Sequence, residues 1–595
     1  MHLHAASPLN LSASPWPLHS HAQPASWRGP SLPIYLLLAL WLGACTTLPT
    51  EVARPISTAL ASPAGTRLGQ AVAARSAKAG TRNDSGFALV SSAELAFTSR
   101  MALIKAAQKT LDLQYYAVHF DDSTERLFEA LKEAANRGVR IRILLDDFNT
   151  AGKNAQVLTL AFEKNIELRL FNPLPSGRGS SIFRIVSSLG DVAKLQRRMH
   201  NKIFVADNAV AITGGRNLGD TYFGQSESTN FVDLDVLAAG RIARDLSRSF
   251  DQYWNNPLAY PAQSLMTLQE IEAIKPKKLP DTRDTAPTTD RDTGATAALA
   301  TAVTPEGSAS TAVNATTTAR TVLTPSGAST TIPALPDDTD LGLLPWTWAP
   351  SVMLADKASK IADDADSVEA AQDTAVDGLL SLMSLAKKDV LIVSAYFVPG
   401  KQMMEQFANL RQRGVRVRVL TNSLASNDAP AAHAGYARYR QALVAMGVEV
   451  YEMHTEQAGK ATAFGSAKGL TGLKSPTGST GSSSGTSRAS LHTKAVVIDA
   501  SLLVVGSMNL DLRSKLQNSE VGVVIRNAKL SGEVTRLIEP GLARGAYRVE
   551  LENGQLVWRA PQGSGFKDTR TEPDASLGLR LMVELIAPFA PDEML

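Results

Sequence analysis

The sequence predicts an α/β fold in which one unit is written twice. Leu111–Val118 reads as a strand, Ser123–Asn136 as an amphipathic helix and Val139–Leu145 as an alternating strand. That order is a β-α-β unit, which favours parallel strands. It returns at Asp389–Val398, Gln402–Arg413 and Gly414–Leu420, where Gly-Val-Arg-Val-Arg-Val-Leu matches Gly-Val-Arg-Ile-Arg-Ile-Leu at Gly138–Leu144. Self-similarity at this distance marks a duplicated domain, not a short-period solenoid. In the first unit Ser123 is the expected N-cap of the helix and Gly138 follows its end.

The elements in order divide the chain. Pro33–Leu42 is an apolar run of ten residues, too short for a bilayer that needs ~20. Gly43-Ala44-Cys45 follows it, as a secretory h-region is followed by a cleavage site. Leu42-Gly43-Ala44-Cys45 resembles a bacterial lipobox, which implies a signal peptide over 1–45 and lipidation of Cys45. Residues 46–89, rich in Ala, Thr, Pro and Gly, read as a tether. The first α/β domain is expected over 90–260. Residues 261–345 hold no Phe, Tyr or Trp and read as a disordered linker. The second domain is expected over 346–540 with a Gly/Ser-rich insert at 455–489, and 541–595 is a C-terminal extension whose Leu577–Ile586 is an amphipathic or core helix, with membrane contact as the alternative.

Composition narrows the function. With 595 residues there is room for two to four domains at ~100–200 residues each. The formal net charge of +3 argues against a nucleic-acid partner. One cysteine excludes an intramolecular disulfide framework and a multi-Cys zinc site.

The chemistry lies in a repeated motif. His200-Asn-Lys202 leads to Asp207 and Gly214-Gly215-Arg216-Asn217; His492-Thr-Lys494 leads to Asp499 and Gly506-Ser507-Met508-Asn509. Counted from each His, Lys is at +2, Asp at +7, Gly at +14, Gly or Ser at +15 and Asn at +17. For a chain with nine histidines, chance gives on the order of 0.02 matches to H-x-K-x4-D. On a strand, residues two apart share a face, so His and Lys project together. If the copies pack about a pseudo-twofold axis, two His, two Lys and two Asn converge. Such a pocket suits a phosphodiester: Lys202, Lys494, Asn217 and Asn509 hold phosphate oxygens, one neutral His attacks phosphorus and the other, protonated, gives a proton to the leaving oxygen. No metal-ligand spacing appears and the chemistry needs no cofactor. Asp233 in FVDLDVL and Glu520 in NSEVGVV sit at matching places and are candidates to orient the histidine rings. Asp207 and Asp499 belong to the catalytic motif, but their offset puts them at or past the strand end, where fixing a turn suits them better.

These residues resemble the phospholipase D superfamily, whose signature is the duplicated H-x-K-x4-D motif. Arg198–Lys202, Gly214–Phe223, Phe231–Asp235, Tyr396–Pro399, Gly435–Arg440 and Glu572-Pro573 are similar to the bacterial cardiolipin synthase C type. The resemblance covers roughly 90–260 and 365–595. It implies two α/β/α sandwich domains with mixed β-sheets, one active site at their interface and a phosphohistidine intermediate. One of His200 and His492 is then the nucleophile, with His200 favoured, and the other the general acid/base.

The function expected on this basis is phosphatidyl transfer from a phospholipid donor, with phosphatidylethanolamine a candidate, to phosphatidylglycerol at a membrane surface of the cell envelope facing the periplasm. The alternatives are a hydrolase yielding phosphatidic acid, a nuclease of the same superfamily, or an inactive lipid-binding protein. The sequence identifies no helper protein. Tyr115, Tyr116, Tyr396 and Phe397 are expected in the core, with a pocket wall as the alternative. The arginine pairs 140/142 and 416/418 are expected on a solvated face or in intersubunit ion pairs. His119, His433 and His454 lack a motif and are expected to be ordinary surface or core residues, with a substrate role open for His433.

Overall fold

In the computed structural model, the described residues are 48–81, 83–175, 192–274, 320–323, 329–332, 335–336, 338–362, 373–455, 488–587 and 592. The expected signal peptide with Cys45, most of the linker and most of the Gly/Ser insert lie outside them.

Two nine-stranded mixed sheets form the fold. In chain order the first copy supplies β1 (Ser85–Val90), β2 (Thr110–Tyr115), β3 (Arg140–Asp146), β4 (Ile166–Phe171), β5 (Ile203–Ala206), β6 (Val210–Gly214), β7 (Thr229–Val232), β8 (Asp235–Ala239) and β9 (Ala259–Pro261). A hairpin of β10 (Arg320–Leu323) and β11 (Ser329–Ile332) stands apart, and β12 (Thr347–Ala349) follows. The second copy supplies β13 (Ser351–Ala355), β14 (Asp389–Ser394), β15 (Phe397–Val398), β16 (Arg416–Asn422), β17 (Glu449–Met453), β18 (Arg488–Leu491), β19 (Lys494–Ile498) and β20 (Leu502–Gly506). It closes with β21 (Leu510–Asp511), β22 (Val521–Arg526), β23 (Ala546–Glu552) and β24 (Gln555–Arg559).

The sheet orders are β12-β1-β8-β6-β5-β2-β3-β4-β9 and β13-β22-β20-β19-β14-β16-β17-β23-β24. The repeat is visible in them, because β8-β6-β5-β2-β3-β4 and β22-β20-β19-β14-β16-β17 have the same order. The predicted parallel units are there: β2, β3 and β4 run parallel, as do β14, β16 and β17. The helix Asp122–Asn136 is capped by Asp121 and not by Ser123, whose hydroxyl donates to Asp220 Oδ1 at 2.6 Å.

Inner faces of the two sheets share one apolar cluster. Phe87, Val232, Val236 and Ala238 of the first copy pack with Leu391, Val393, Val505 and Val523 of the second. Burial on both sides explains why β19, β20 and β22 are almost unbroken Val, Ile and Leu.

Several boundaries differ from those expected. Ser85–Val90, assigned to the tether, is a sheet strand. Within the expected linker, Ala262, Ile271 and Leu335 are buried in the first core, because aliphatic residues suffice for burial without aromatics. β12 lies beyond the expected start of the second domain yet pairs with β1. Pro350 alone separates it from β13, which pairs with β22. The boundary placed at 540 cuts the helix Ala528–Arg544, and β23 and β24 of the expected extension belong to the second sheet.

Residues 54–60 are docked. Arg169 donates to Pro55 O at 2.6 Å, Arg142 to Ser57 O at 2.9 Å, Arg140 to Thr58 O at 2.6 Å and Asn208 to Leu60 O at 2.7 Å. Ala59 N donates to Asp251 Oδ2 at 2.8 Å. Arg142 and Arg169 are buried, and a buried guanidinium needs acceptors. Composition marked this segment as a tether, but it conceals that a core uses its carbonyls. A chain starting at residue 61 is expected to be less stable than one starting at residue 51 by roughly 4 kcal/mol, at ~1–3 kcal/mol per buried donor left unmet; urea denaturation of the two checks this.

Candidate active site

Each motif histidine stands just before a strand, in a segment held by the opposite copy. Met199 bridges Ser519; His200 N donates to Ser519 O at 2.9 Å, and Ser519 N donates to Arg198 O at 2.9 Å. In the second copy β18 pairs in parallel with β7, and His492 N donates to Val232 O at 2.9 Å. The residue before each His is also tied to its own sheet. Met199 N donates to Asp146 Oδ2 at 2.9 Å at the end of β3, and Leu491 N donates to Asn422 Oδ1 at 2.9 Å at the end of β16.

The exchange carries to the side chains. His200 Nδ1 lies 2.9 Å from Glu520 Oε2, and His492 Nδ1 lies 2.7 Å from Asp233 Oδ2. Each ring is thus held at Nδ1 by a carboxylate of the other copy, which leaves Nε2 for chemistry. Lys202 Nζ donates to His200 O at 2.7 Å, and Lys494 Nζ donates to His492 O. Each ammonium keeps two further protons to give.

Aromatic rings wall the pocket. The Tyr116 ring meets His200 edge-on at 5.0 Å, with Lys202 Nζ 5.5 Å from its centroid. Tyr222 and Phe231 stand 5.3 and 4.9 Å from the His492 ring. Asn217 Nδ2 donates to Tyr222 Oη at 2.9 Å, while its Oδ1 accepts from Ala117 N at 3.2 Å. Asn509 differs: its Oδ1 is buried without a hydrogen-bond partner.

Burial sets the electrostatics. Burial, with Lys202, Lys494 and His492 adding repulsion, pushes His200 well below its ordinary range. His492 is also lowered by burial and Lys494, but Asp233 opposes the fall. Burial lowers Lys202 to about 7 and lifts Glu520 to about 7. Asp233 is lifted by burial too, yet His492 and Lys494 hold it below the usual carboxylate range. The copies are therefore alike in geometry and unlike in charge. The surroundings of the two carboxylates also differ at +15. Ser507 Oγ donates to Glu520 Oε2, whereas a Cβ at Gly215 would lie 2.2 Å from Asp233 Oδ1.

Asp207 and Asp499 are not brought to the pocket. They follow the far ends of β5 and β19 with φ of +51° and +50°. Asp207 accepts the N–H groups of Gln108, Lys109 and Thr110, and Asp499 those of Lys387, Lys388 and Asp389.

Other expectations divide. Tyr115 is core, its hydroxyl accepting from Arg100 Nε at 3.2 Å, and Phe397 is core. Tyr116 is pocket wall, and Tyr396 donates to Asp428 at 2.9 Å. Three of these four arginines make intrachain ion pairs, Arg142 with Asp112 and Asp251, Arg416 with Glu449, and Arg418 with Asp389 and Glu539, while Arg140 donates to Thr58 O. His119 Nδ1 lies 3.3 Å from Asn154 Nδ2, His433 reaches Glu572 at 3.3 Å, and His454 stacks on Phe566. Among the described residues no group of three or more His, Cys, Asp or Glu is arranged to hold a metal ion.

Sequence reasoning missed Asp146 and Asn422, although they occupy the same repeat position and that register was the signal. It also missed Asp356 and Lys360, a buried pair at 2.8 Å. Asp356 accepts from Glu520 N, and Lys360 donates to Ser514 O. No pattern announced them.

The chain matches the family model described as "Cardiolipin synthase, PLD-like domain" over residues 101–254 and 379–540. It is 33% identical over 504 residues to cardiolipin synthase C of Escherichia coli (strain K12), across 84% of this chain and 94% of that one. It is 31% identical over 491 residues to an uncharacterised protein of Helicobacter pylori, across 82% and 85%. A crystal structure of phosphatidylserine synthase from Haemophilus influenzae Rd KW20 aligns with 85% of this chain and 94% of that chain, at a TM-score of 0.48 and 12% identity.

Removing the acceptor for three backbone N–H groups separates fold from chemistry. Asp207→Ala is expected to cost about 3 kcal/mol of stability, with Asp207→Asn intermediate, as read by chemical denaturation.

Proposed function

The chain belongs to the phospholipase D-like cardiolipin synthase family, and on that premise we propose that it is a phosphatidyltransferase that makes cardiolipin through a phosphatidyl-histidine intermediate. The observation that carries this reading is the reciprocal pairing of His200 with Glu520 and of His492 with Asp233, beside Lys202 and Lys494.

His200 is the nucleophile, because it is the ring driven further from protonation. Its Nε2 attacks the donor phosphorus. The P–O bond to the headgroup breaks, and the leaving oxygen takes a proton from His492, whose cation is favoured by ionised Asp233. Lys202, Lys494 and Asn509 donate to the non-bridging oxygens as charge builds, and Asn217 presents the amide proton that Tyr222 leaves over. The phosphatidyl group is then bonded to His200, whose Nδ1 proton Glu520 holds. A glycerol hydroxyl of phosphatidylglycerol next gives its proton to His492 as its oxygen attacks phosphorus. The P–N bond breaks, His200 is restored and cardiolipin leaves.

The two α/β domains supply one histidine each. Phosphatidylglycerol, with phosphatidylethanolamine as a possible donor, is the substrate class. A signal peptide ending at Cys45, lipidated and holding the enzyme in the cell envelope facing the periplasm, completes the reading. Among the described residues no helix is long and apolar enough to cross a membrane.

The test is a lipid assay on protein from residue 46 onward with phosphatidylglycerol vesicles, alone and with phosphatidylethanolamine. Mass spectrometry is expected to find cardiolipin and the released headgroup alcohol. His200→Ala and His492→Ala are each expected to lose on the order of 10³-fold in rate. Phosphatidic acid alone would replace the reading with hydrolysis.

The free enzyme also predicts a pH profile. Lys202, lowered to about 7, loses its charge as pH rises through that value, so kcat/KM is expected to fall above about pH 7. Bound phosphate restores the proton, so kcat persists to higher pH. Lys202→Arg is expected to remove this step near pH 7, since a guanidinium stays charged, and to leave only the decline set by His492, whose acid form burial and Lys494 disfavour.

A further inference from the structure

Four of the ten large hydrophobic side chains that stand exposed among the described residues lie on one ten-residue helix, Leu577–Ile586. Leu577 is 71% exposed, Leu581 55%, Leu585 71% and Met582 39%. The spacing of four puts the leucines in one outward stripe. The opposite face is spoken for: Leu579, Val583 and Ala587 pack with Leu424, Ala425 and Ala434.

The helix is firmly seated. Arg440 joins Glu572 at 2.6 Å, and Arg580 donates to Glu572 O at 2.8 Å. The seat borders the pocket. Leu424 lies two residues beyond Asn422, which holds the backbone before His492. Asp428, four residues further, accepts from Tyr396 at 2.9 Å, and its charge reaches His492 and Lys494.

We propose that the helix Leu577–Ile586 docks on a phospholipid bilayer through Leu577, Leu581, Met582 and Leu585, and so brings the rim of the His492 side of the pocket to the membrane surface. The proposal rests on the phospholipid reading of the site and adds the face that meets the lipid. The occupant is a bilayer because the seat of the helix borders the pocket whose substrates stand in one; the four side chains expose on the order of 450 Å², the size of a single functional apolar patch on a monomer. A patch of that size is ample for an interfacial helix, which needs one apolar face sunk to the level of the acyl boundary.

The experiment uses the chain from residue 46 onward, as in the lipid assay, so that neither the apolar run Pro33–Leu42 nor an acyl group on Cys45 contributes. Flotation with phosphatidylglycerol/phosphatidylcholine vesicles is compared for that protein and for one also carrying Leu577→Ser, Leu581→Ser and Leu585→Ser. The triple variant is expected to bind vesicles at least tenfold more weakly and to lose turnover on vesicles to a similar degree. Turnover on dispersed short-chain phosphatidylglycerol should stay within twofold, which also shows that the variant is folded. Leu581→Trp is expected to shift its emission to the blue when vesicles are added. Equal vesicle binding by both proteins, or no tryptophan shift, overturns the proposal. So does sedimentation showing a dimer that the triple variant dissolves, since the face would then belong to a second copy. Vesicle binding that depends on the stripe, without cardiolipin from either lipid form, upholds the docking face and sinks the phospholipid reading of the pocket.

Discussion

The structure depends on an exchange between its two copies. Each histidine segment hydrogen-bonds along its backbone to the segment of the other copy that carries its carboxylate partner. Neither half can orient its own ring. The apolar sheet faces that bring the halves together are therefore as much a part of the chemistry as the histidines, because they set the 2.7–2.9 Å contacts at Nδ1.

Burying two lysines and two histidines in one pocket is costly unless each charge finds a partner. The sheets supply carboxylates at measured places: Asp233 and Glu520 on the rings, and Asp146 behind them on the Arg198–Met199 backbone and on the Arg198 guanidinium. Burial is what chiefly depresses His200 and Lys202, and the neighbouring cations add to it. A phosphodiester anion beside Lys202 and Lys494 would favour their charged forms. The copies then diverge through small substitutions. A serine at 507 and a glycine at 215 give the two carboxylates different surroundings, the serine hydroxyl favouring the ionised form of Glu520 against the burial that raises it.

Much of this was legible in the sequence, for local reasons. The H-x-K-x4-D offsets describe one strand and its approaches, and the β-α-β units have periodicities that a linear reading detects. Asp233 and Glu520 were found because the repeat put them in register. What the sequence hid was long-range. Nothing in it told that Glu520 serves His200 and Asp233 serves His492, or that residues 54–60 satisfy Arg142 and Arg169. The segments before β5 and β19 read as strand, but the histidines stand just outside it, where the opposite copy takes over the pairing. The domain limits failed for a related reason: composition detects the loss of aromatics at 261–345, while β12 is placed by its hydrogen bonds to β1.

That placement of β12 bears on how the gene can change. The low-complexity stretch leaves the first sheet after β9 and returns to it at β12, and the passage to the second sheet is made by Pro350. The stretch is thus a detour within one half, and the spacing between halves does not depend on its length. The effective concentration of one histidine at the other is fixed by a one-residue joint and an apolar interface. A change of length between Ile271 and Leu335 would leave the joint at Pro350, and with it the distance between the halves, as it is.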